Sequence, residues 1–171
     1  MNLTCVVTTV DDIDLGNTLQ SLKATAPEAE IIVIDDASGC PVVEMFRELL
    51  PILPGPRVRV IRNMFRCGVG PSRTMGVAAA SNENVLVCDS HMRFLPGWAE
   101  STIAHVEANP QSIYCFTCLG LNKSNLDPVN PVSRYYGATW NFYGEDPNAA
   151  GKKQIFECVW RKETPADNAE I

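Results

Sequence analysis

The sequence predicts an α/β fold in which a mostly parallel central sheet is flanked by helices. Short apolar strand patterns alternate with helix patterns over the first two thirds of the 171 residues, and the turns between them are short. Hydrophobic residues make up 46% of the chain and charged residues 20%, which is the composition of a globular domain that can bury a core. We therefore expect a single domain covering residues 1–171.

Eight elements, four strands and four helices in alternation, are predicted in the first 107 residues. Apolar strand patterns cover residues 3–10, 31–34, 58–61 and 85–88. Asp14 can cap a first helix whose Leu15, Leu19 and Leu22 share one face. Proline in the first turn predicts a second helix over residues 41–50 and a third over 71–80, and residues 98–107 are amphipathic.

The remainder of the chain is less regular. Strand patterns occur at residues 113–119 and 154–160, whereas residues 122–150 are rich in Asn, Pro, Gly and Tyr. A loop of that length inside a compact domain is usually functional or incomplete. We read Glu145-Asp146 as a turn before Pro147.

Charge and cysteine content exclude several classes of protein. The formal charge of −6 argues against a nucleic-acid partner, although arginines at 57, 59, 62, 66 and 73 could meet one phosphorylated small molecule. Seven cysteines are an odd number, and several lie in apolar runs, which predicts a reducing, cytoplasmic location. Cys115 and Cys118 have zinc-knuckle spacing without a second pair, so we expect no zinc site. No apolar run approaches the ~20 residues that a membrane span needs.

Asp89-Ser90-His91 follows the strand pattern at 85–88. A carboxylate and an imidazole two residues apart at a strand end should point the same way and could chelate a divalent cation. Carboxylate oxygen suits Mg²⁺ and Mn²⁺, and the imidazole favours Mn²⁺ or another transition metal. The sequence therefore predicts a metal site at Asp89 and His91, unless the strand merely ends in polar residues.

Polar residues follow each of the four predicted strands. They occupy residues 9–12, 35–36, 62–70 and 89–91. Ligands of open α/β sheets bind beyond the carboxyl ends of the strands, so all four sets should face one crevice. An Asp after the second strand can accept from a base or a ribose, while a glycine-rich turn, a helix N-terminus and Arg66 or Arg73 suit phosphate. We expect a nucleotide diphosphate whose phosphates are bridged by the metal.

These motifs resemble family-2 glycosyltransferases, whose pattern is visible in IIVIDDASG, GVGPSRTMG and FLPGWAE. The chain is most similar to the catalytic domain of polypeptide N-acetylgalactosaminyltransferases. Those enzymes carry a DSH metal motif and an Arg-x-x-x-Arg-x-Gly-x-x-x-Ser-Arg spacing, matched here by Arg62, Arg66, Gly68, Ser72 and Arg73. The resemblance covers about residues 3–100. It implies a Rossmann-like GT-A fold, with residues 1–119 as the nucleotide-sugar-binding half and 120–171 as a partial acceptor-side segment.

The resemblance also implies roles for single residues. Asp89 and His91 would bind Mn²⁺ or Mg²⁺, Ser90 would line the sugar-nucleotide site, and the residues that meet the nucleotide would be Thr9, Asp36, Arg66 and Gly68. Arg73 would shape the loop, with phosphate contact left open, and Trp98 would serve packing. The donor would be a UDP-sugar, and the group transferred would be a hexosyl or N-acetylhexosaminyl group. It would pass, with retention of the anomeric configuration, to an unknown glycan, protein or small molecule. No catalytic residue is identified.

Two departures from the family pattern suggest a second interpretation. The family's third metal ligand is a histidine well after the DSH motif, and here only His105 follows, within a predicted helix. The acceptor side is short, so we expect the fold to lack its C-terminal part and to transfer little sugar on its own. The alternative is a catalytically incomplete nucleotide-sugar binding module. A nucleotidyltransferase and a dinucleotide-binding domain fit less well, since the glycine-rich turn follows the third strand rather than the first.

Overall fold

The computed structural model describes residues 1–53, 58–111, 113–114, 116–119, 121–122, 134–141 and 157–162. The chain divides into two units, Met1–Ser112 and Ile113–Ile171, and each is described by itself. Arg57, Cys115, Glu145 and Asp146, which figured in the sequence predictions, lie outside the described residues.

The first unit is built on a four-stranded sheet. Its strands are β1 (Thr4–Thr9), β2 (Glu30–Asp35), β3 (Arg59–Arg62) and β4 (Val85–Asp89). They pair in the order β3-β2-β1-β4, and all three pairings are parallel. The α/β class and the four predicted strands are confirmed. Because every strand is parallel, all four carboxyl ends lie at one edge of the sheet.

Helices connect these strands. They are α1 (Leu15–Thr25), α2 (Val42–Met45), α3 (Val69–Ala78) and α4 (Trp98–Ala108), with a 3₁₀ turn at Leu50–Ile52. The predicted second helix is shorter than expected, since it ends before Phe46. The backbone of Phe46 leaves the helical region, with φ −115° and ψ 24°, while its N–H still donates to the carbonyl of Val42.

Both faces of the two central strands, β1 and β2, are buried, as continuous apolar strands predict, whereas β3 and β4 are partly exposed. On one face, Leu15, Leu19 and Leu22 of α1 pack with alternate residues of the strands, among them Cys5 and Val33. All three leucines are fully buried, which confirms the predicted helix face. The other face presents Val6, Ile32 and Ile34. Here α3 approaches closely, because Gly76 has no side chain to hold it away from Val6.

Glu30 ties together the amino-terminal end of the sheet. Its carboxylate accepts hydrogen bonds from Thr4 Oγ1 at 2.7 Å, from Ser81 N at 2.8 Å and Ser81 Oγ at 2.9 Å, and from Arg59 Nη1 at 2.9 Å. Arg59 therefore lies at the opposite end of β3 from the predicted phosphate-binding arginines. Burial by itself raises the pKa of Glu30, but these donors outweigh it and lower the pKa from 4.5 to about 2.

We expect this carboxylate to make the fold sensitive to acid. A carboxylate whose pKa is lowered by folding stabilises the folded protein at pH values above its pKa in the unfolded state. That contribution is lost as the pH falls through its pKa in the folded state. For Glu30 the loss should run from about pH 4.5 down to about pH 2. Urea unfolding at a series of pH values should show a steeper decline for the wild type than for Glu30→Gln. Equal slopes would contradict the prediction.

The second unit contains an antiparallel sheet. Its strands are β5 (Thr117–Leu119), β6 (Arg134–Asn141) and β7 (Glu157–Lys162), in the order β5-β6-β7, with a register irregularity between Tyr135 and Ala138. The prediction of an irregular segment over residues 122–150 is wrong at β6. The sequence RYYGATWN is rich in aromatic residues and Thr, which favour strands, although its Gly interrupts the pattern.

Among the described residues, no helix is long and apolar enough to cross a membrane.

Candidate nucleotide and metal site

The polar residues predicted to converge do meet at the carboxyl edge of the first sheet. Strand order runs outward from β1 through β2 to β3, and β4 then joins the other side of β1. The strand order therefore reverses between β1 and β4. In open α/β sheets such a reversal opens a crevice at the carboxyl ends of the two strands, and ligands bind there.

Asp12 bridges this crevice from the β1 side to the β4 side. Its Oδ2 accepts a hydrogen bond from Ser90 Oγ at 2.5 Å and lies 3.0 Å from His91 Nδ1, while its Oδ1 accepts from Asp14 N at 2.9 Å. Burial by itself raises the pKa of Asp12, but these hydrogen bonds outweigh it and the net shift is downward. Asp12 is thus held as a carboxylate. Asp14 occupies the N-cap position of α1, but its side chain makes no capping bond.

The backbone of the 90–92 segment is held separately by α1. Thr18 Oγ1 donates to Ser90 O at 2.7 Å and accepts from Met92 N at 2.8 Å. Both Thr18 and Ser90 are buried. The path of the chain after β4 therefore does not depend on Asp12 alone.

Asp89 is the last residue of β4, and it has a different partner from His91. Its Oδ1 accepts from Arg73 Nη2 of α3 at 2.7 Å. His91 lies beyond the end of the strand, so strand alternation no longer decides where its side chain points. Both side chains are accessible, with 44% of Asp89 and 60% of His91 exposed. The predicted pair is present at the crevice, but each member is oriented by its own contact.

Asp36 anchors the glycine-rich turn before α3. Its carboxylate accepts from Cys67 N at 2.8 Å, Gly68 N at 2.9 Å and Asn63 Nδ2 at 2.7 Å. The Cys67 N–H makes the largest contribution to a lowered pKa of Asp36, against the effect of burial. With only 8% of Asp36 exposed, its first task is to shape the loop that holds Gly68. Its predicted contact with uridine stays a prediction.

A second acidic residue ties the loops together nearer the surface. Asp11 accepts from Gly39 N at 2.6 Å through Oδ1 and pairs with Arg66 through Oδ2. Its φ of 51° is in the left-handed region, which a non-glycine residue adopts only at a cost. Arg66 is thereby drawn over the same edge of the sheet as Asp12, as the sequence predicted. Its side chain remains 62% exposed.

Three buried polar atoms at this edge have no hydrogen-bond partner within the described part of the chain. They are Thr9 Oγ1, at the end of β1, Asn63 Oδ1, just after β3, and Nε of Arg73, whose Nη2 donates to Asp89. A buried acceptor or hydroxyl without a partner costs about 1–3 kcal/mol. Thr9 was predicted to face the nucleotide, and that contact stays a prediction.

Arg62 does not face the crevice. It donates to Asp35 Oδ2 at 2.5 Å and to the carbonyl of Ser38 at 2.7 Å, and it thereby fixes the turn that follows β2. Trp98 serves packing, since its Nε1 donates to Thr25 Oγ1 at 2.8 Å and its ring lies 4.7 Å from that of Phe94. His105 lies exposed on α4.

Sequence reasoning missed Asp12, Asp11 and Asn63 as single residues. The strand-end rule had pointed to residues 9–12 and 62–70 as sets. It could not say which carboxylate would reach across to β4, because that contact joins residues 79 positions apart.

Solved structures share this architecture. The structure of S. aureus TarS 1-349 in complex with UDP-GlcNAc superposes with a TM-score of 0.55 at 19% identity, covering 75% of this chain and 37% of that one. Full S. aureus TarS gives a TM-score of 0.52 at 22% identity, covering 75% and 23%. The fold is the Rossmann-like GT-A fold of glycosyltransferases, as predicted.

Sequence comparison identifies the family. The model of glycosyl transferase family 2 matches residues 6–160, which is most of the chain. The chain therefore belongs to glycosyl transferase family 2.

Similar curated proteins are N-acetylgalactosaminyltransferases. The probable N-acetylgalactosaminyltransferase 6 of Caenorhabditis elegans is 25% identical over 142 residues, covering 80% of this chain and 23% of its own length. Polypeptide N-acetylgalactosaminyltransferase 3 of Taeniopygia guttata is 31% identical over 104 residues, covering 58% and 16%. The chain thus spans less than a quarter of the length of these relatives.

Proposed function

We propose that this chain is the donor-binding domain of a metal-dependent glycosyltransferase that transfers a sugar from a UDP-sugar to an acceptor. The observation that carries the proposal is the placement of Asp89 and His91 together at the end of β4, where the β1/β4 crevice opens, with the glycine-rich loop that Asp36 holds at the same edge of the sheet. The names of the relatives support a hexosaminyl donor, and S. aureus TarS has been solved with UDP-GlcNAc and with UDP. The choice of acceptor and the stereochemistry of transfer would be determined by residues outside this site.

The side chains at the crevice fit a divalent cation. Asp89 already attracts a positive group, the guanidinium of Arg73, and only one of its oxygens is used in that contact. His91 uses Nδ1 in its contact with Asp12, so that contact does not occupy Nε2, and 60% of the side chain is exposed. One carboxylate and one imidazole favour Mn²⁺ at least as much as Mg²⁺. A metal held there would neutralise charge that develops on the diphosphate leaving group.

The loop before α3 fits the diphosphate. The N–H groups of Cys67 and Gly68 already donate to the Asp36 carboxylate, and Pro71 has no N–H group. The N–H groups of Val69 and Gly70 are in the first turn of α3, where no intrahelical acceptor exists. An anion there would also meet the positive end of the helix dipole. Arg66 can neutralise its charge without leaving the surface.

One observation favours the alternative of a binding module without turnover. Among the described residues, no cluster of three or more His, Cys, Asp or Glu side chains could hold a metal ion. A two-ligand site should bind its cation loosely. A sensitive donor-hydrolysis or transfer assay with Mn²⁺ separates the two interpretations, since a module would bind donor without consuming it. A cytoplasmic location is proposed on the cysteine content alone.

Titration calorimetry with UDP tests the proposal directly. We expect binding with Mn²⁺ present, comparable or weaker binding with Mg²⁺, and no measurable binding after a chelator has removed both ions. The reason is that Asp89 and His91 reach the diphosphate only through a cation, and an acidic chain otherwise repels it. Equal affinity with and without chelator would rule out the metal assignment.

A further inference from the structure

Asp12 makes a contact that neither the strand pattern nor the family resemblance assigns. A single oxygen, Oδ2, receives both Ser90 Oγ and His91 Nδ1. The carboxylate is mostly covered, with 20% of the Asp12 side chain exposed, whereas 60% of His91 is exposed. The mostly buried Asp12 carboxylate thus holds Nδ1 of an imidazole ring that is otherwise exposed to solvent.

This contact decides which nitrogen of His91 carries the proton. A neutral imidazole has one N–H donor and one bare nitrogen, and a carboxylate can only accept. Asp12 therefore stabilises the form with the proton on Nδ1, and Nε2 keeps its lone pair. Metal-binding histidines commonly have this arrangement, in which a carboxylate on the far nitrogen sets the tautomer and the orientation of the ring.

The backbone conformation of residues 90–92 does not depend on the contact between Asp12 and His91 alone. Thr18 already holds Ser90 and Met92 through their main-chain atoms. Removing the Asp12 carboxylate should consequently leave the 90–92 segment where it is, while the His91 ring loses its acceptor.

We propose that Asp12 is a positioning residue that holds His91 as the Nδ1–H tautomer, so that Nε2 faces the crevice with a free lone pair. The consequence for a cation at Asp89 and His91 rests on the proposed function. The tautomer itself is a property of this chain without any metal.

Nitrogen-15 NMR of the imidazole side chains tests the proposal without a metal. The protein has two histidines, so His91→Ala assigns both signals. At an alkaline pH at which free imidazole is neutral, wild-type His91 should show a protonated Nδ1 and a bare Nε2. In Asp12→Ala the His91 pattern should change to a mixture of tautomers, while that of His105 stays as it is. Asp12→Asn, which keeps an acceptor oxygen and the same shape, should lie between them.

Asp14→Ala is the matched control, because it removes the same charge two residues away. The Asp14 side chain makes no capping bond, and its N–H donation to Asp12 survives the change. This variant should keep the wild-type tautomer. Manganese affinity measured by electron paramagnetic resonance should fall about tenfold in Asp12→Ala and hold in Asp14→Ala.

The outcomes separate the two proposals. A His91 tautomer that is the same in wild type, Asp12→Asn and Asp12→Ala would overturn the role of Asp12, whatever the metal does. A wild type that binds no Mn²⁺ but shows the tautomer change would contradict the proposed metal site and support the role of Asp12. Should Asp12→Ala fail to fold, Asp12→Asn decides: a partial change of the His91 tautomer supports the role of the Asp12 carboxylate, and an unchanged tautomer overturns it.

Discussion

Replacing Asp89 by asparagine should weaken Mn²⁺-dependent UDP binding by at least about tenfold and leave the fold intact. Loss of an outer partner of a metal ligand alone typically costs about 10- to 100-fold in metal affinity, and loss of a ligand should cost no less. The fold should survive because the Asp89–Arg73 pair is open to solvent, with 44% and 41% of the two side chains exposed. Ion pairs of this kind contribute about 0–1 kcal/mol to stability.

Calorimetry and thermal melting on the same preparation measure both halves of this expectation. Glu83→Gln provides a control for the change of charge, since Glu83 is exposed in the turn that precedes the same strand. It should bind UDP and Mn²⁺ like the wild type. If Asp89→Asn lost its cooperative melt while affinity per folded molecule held, Asp89 would be a structural residue and the metal assignment would fail.

The largest effect on stability is expected from Gly76→Ala. A methyl group at this position would overlap Val6 Cγ1 and lie 3.2 Å from Ile34 Cγ1. Both neighbours belong to buried strands in the middle of the sheet, so α3 would have to move away from it. Overpacking of a well-filled core costs about 1–3 kcal/mol and occasionally more. That should exceed the roughly 0.5–1 kcal/mol that alanine gains over glycine within a helix.

Gly70→Ala is the matched control in the same helix. Within the described part of the chain, and apart from its own helix backbone and chain neighbours, no atom lies within 4 Å of the methyl group that it would add, and the backbone there is helical. Urea unfolding should therefore show Gly70→Ala at least as stable as the wild type and Gly76→Ala clearly less stable. Equal stability of Gly76→Ala and wild type would mean that α3 packs on the sheet less closely than the structure has it.

Both predictions concern the parallel sheet, which the sequence indicated most clearly. Residues such as Ile31, Val33 and Val85 lie in apolar runs bounded by polar turns, and these runs became strands with ends within two residues of those expected. The face of α1 followed from the spacing of its leucines. In contrast, β6 was missed, because a strand that contains a glycine gives a weak periodic signal.

The candidate site was likewise predicted only in part from the sequence. Strand-end reasoning placed Thr9, Asp36, Arg66, Gly68, Asp89 and His91 at one edge of the sheet, since parallel strands must all end there. It did not distinguish Arg62 and Arg59, which pair with Asp35 and Glu30, from Arg66, which reaches the crevice. Charge alone cannot tell an arginine that pairs with a mostly buried carboxylate from one, such as Arg66, that pairs with an exposed carboxylate.

The amino-acid sequence by itself determined the alternation of strands and helices and the edge at which chemistry can occur, because both depend on local periodicity and on the direction of parallel strands. Only the tertiary structure decided that Asp12 meets His91, that Arg73 meets Asp89, and that Asp36 holds the glycine-rich loop. Each of these contacts joins residues 16 to 79 positions apart in the chain. Such contacts depend on strand order and on loop conformation, including the left-handed backbone of Asp11, and neither property leaves a periodic trace in the sequence.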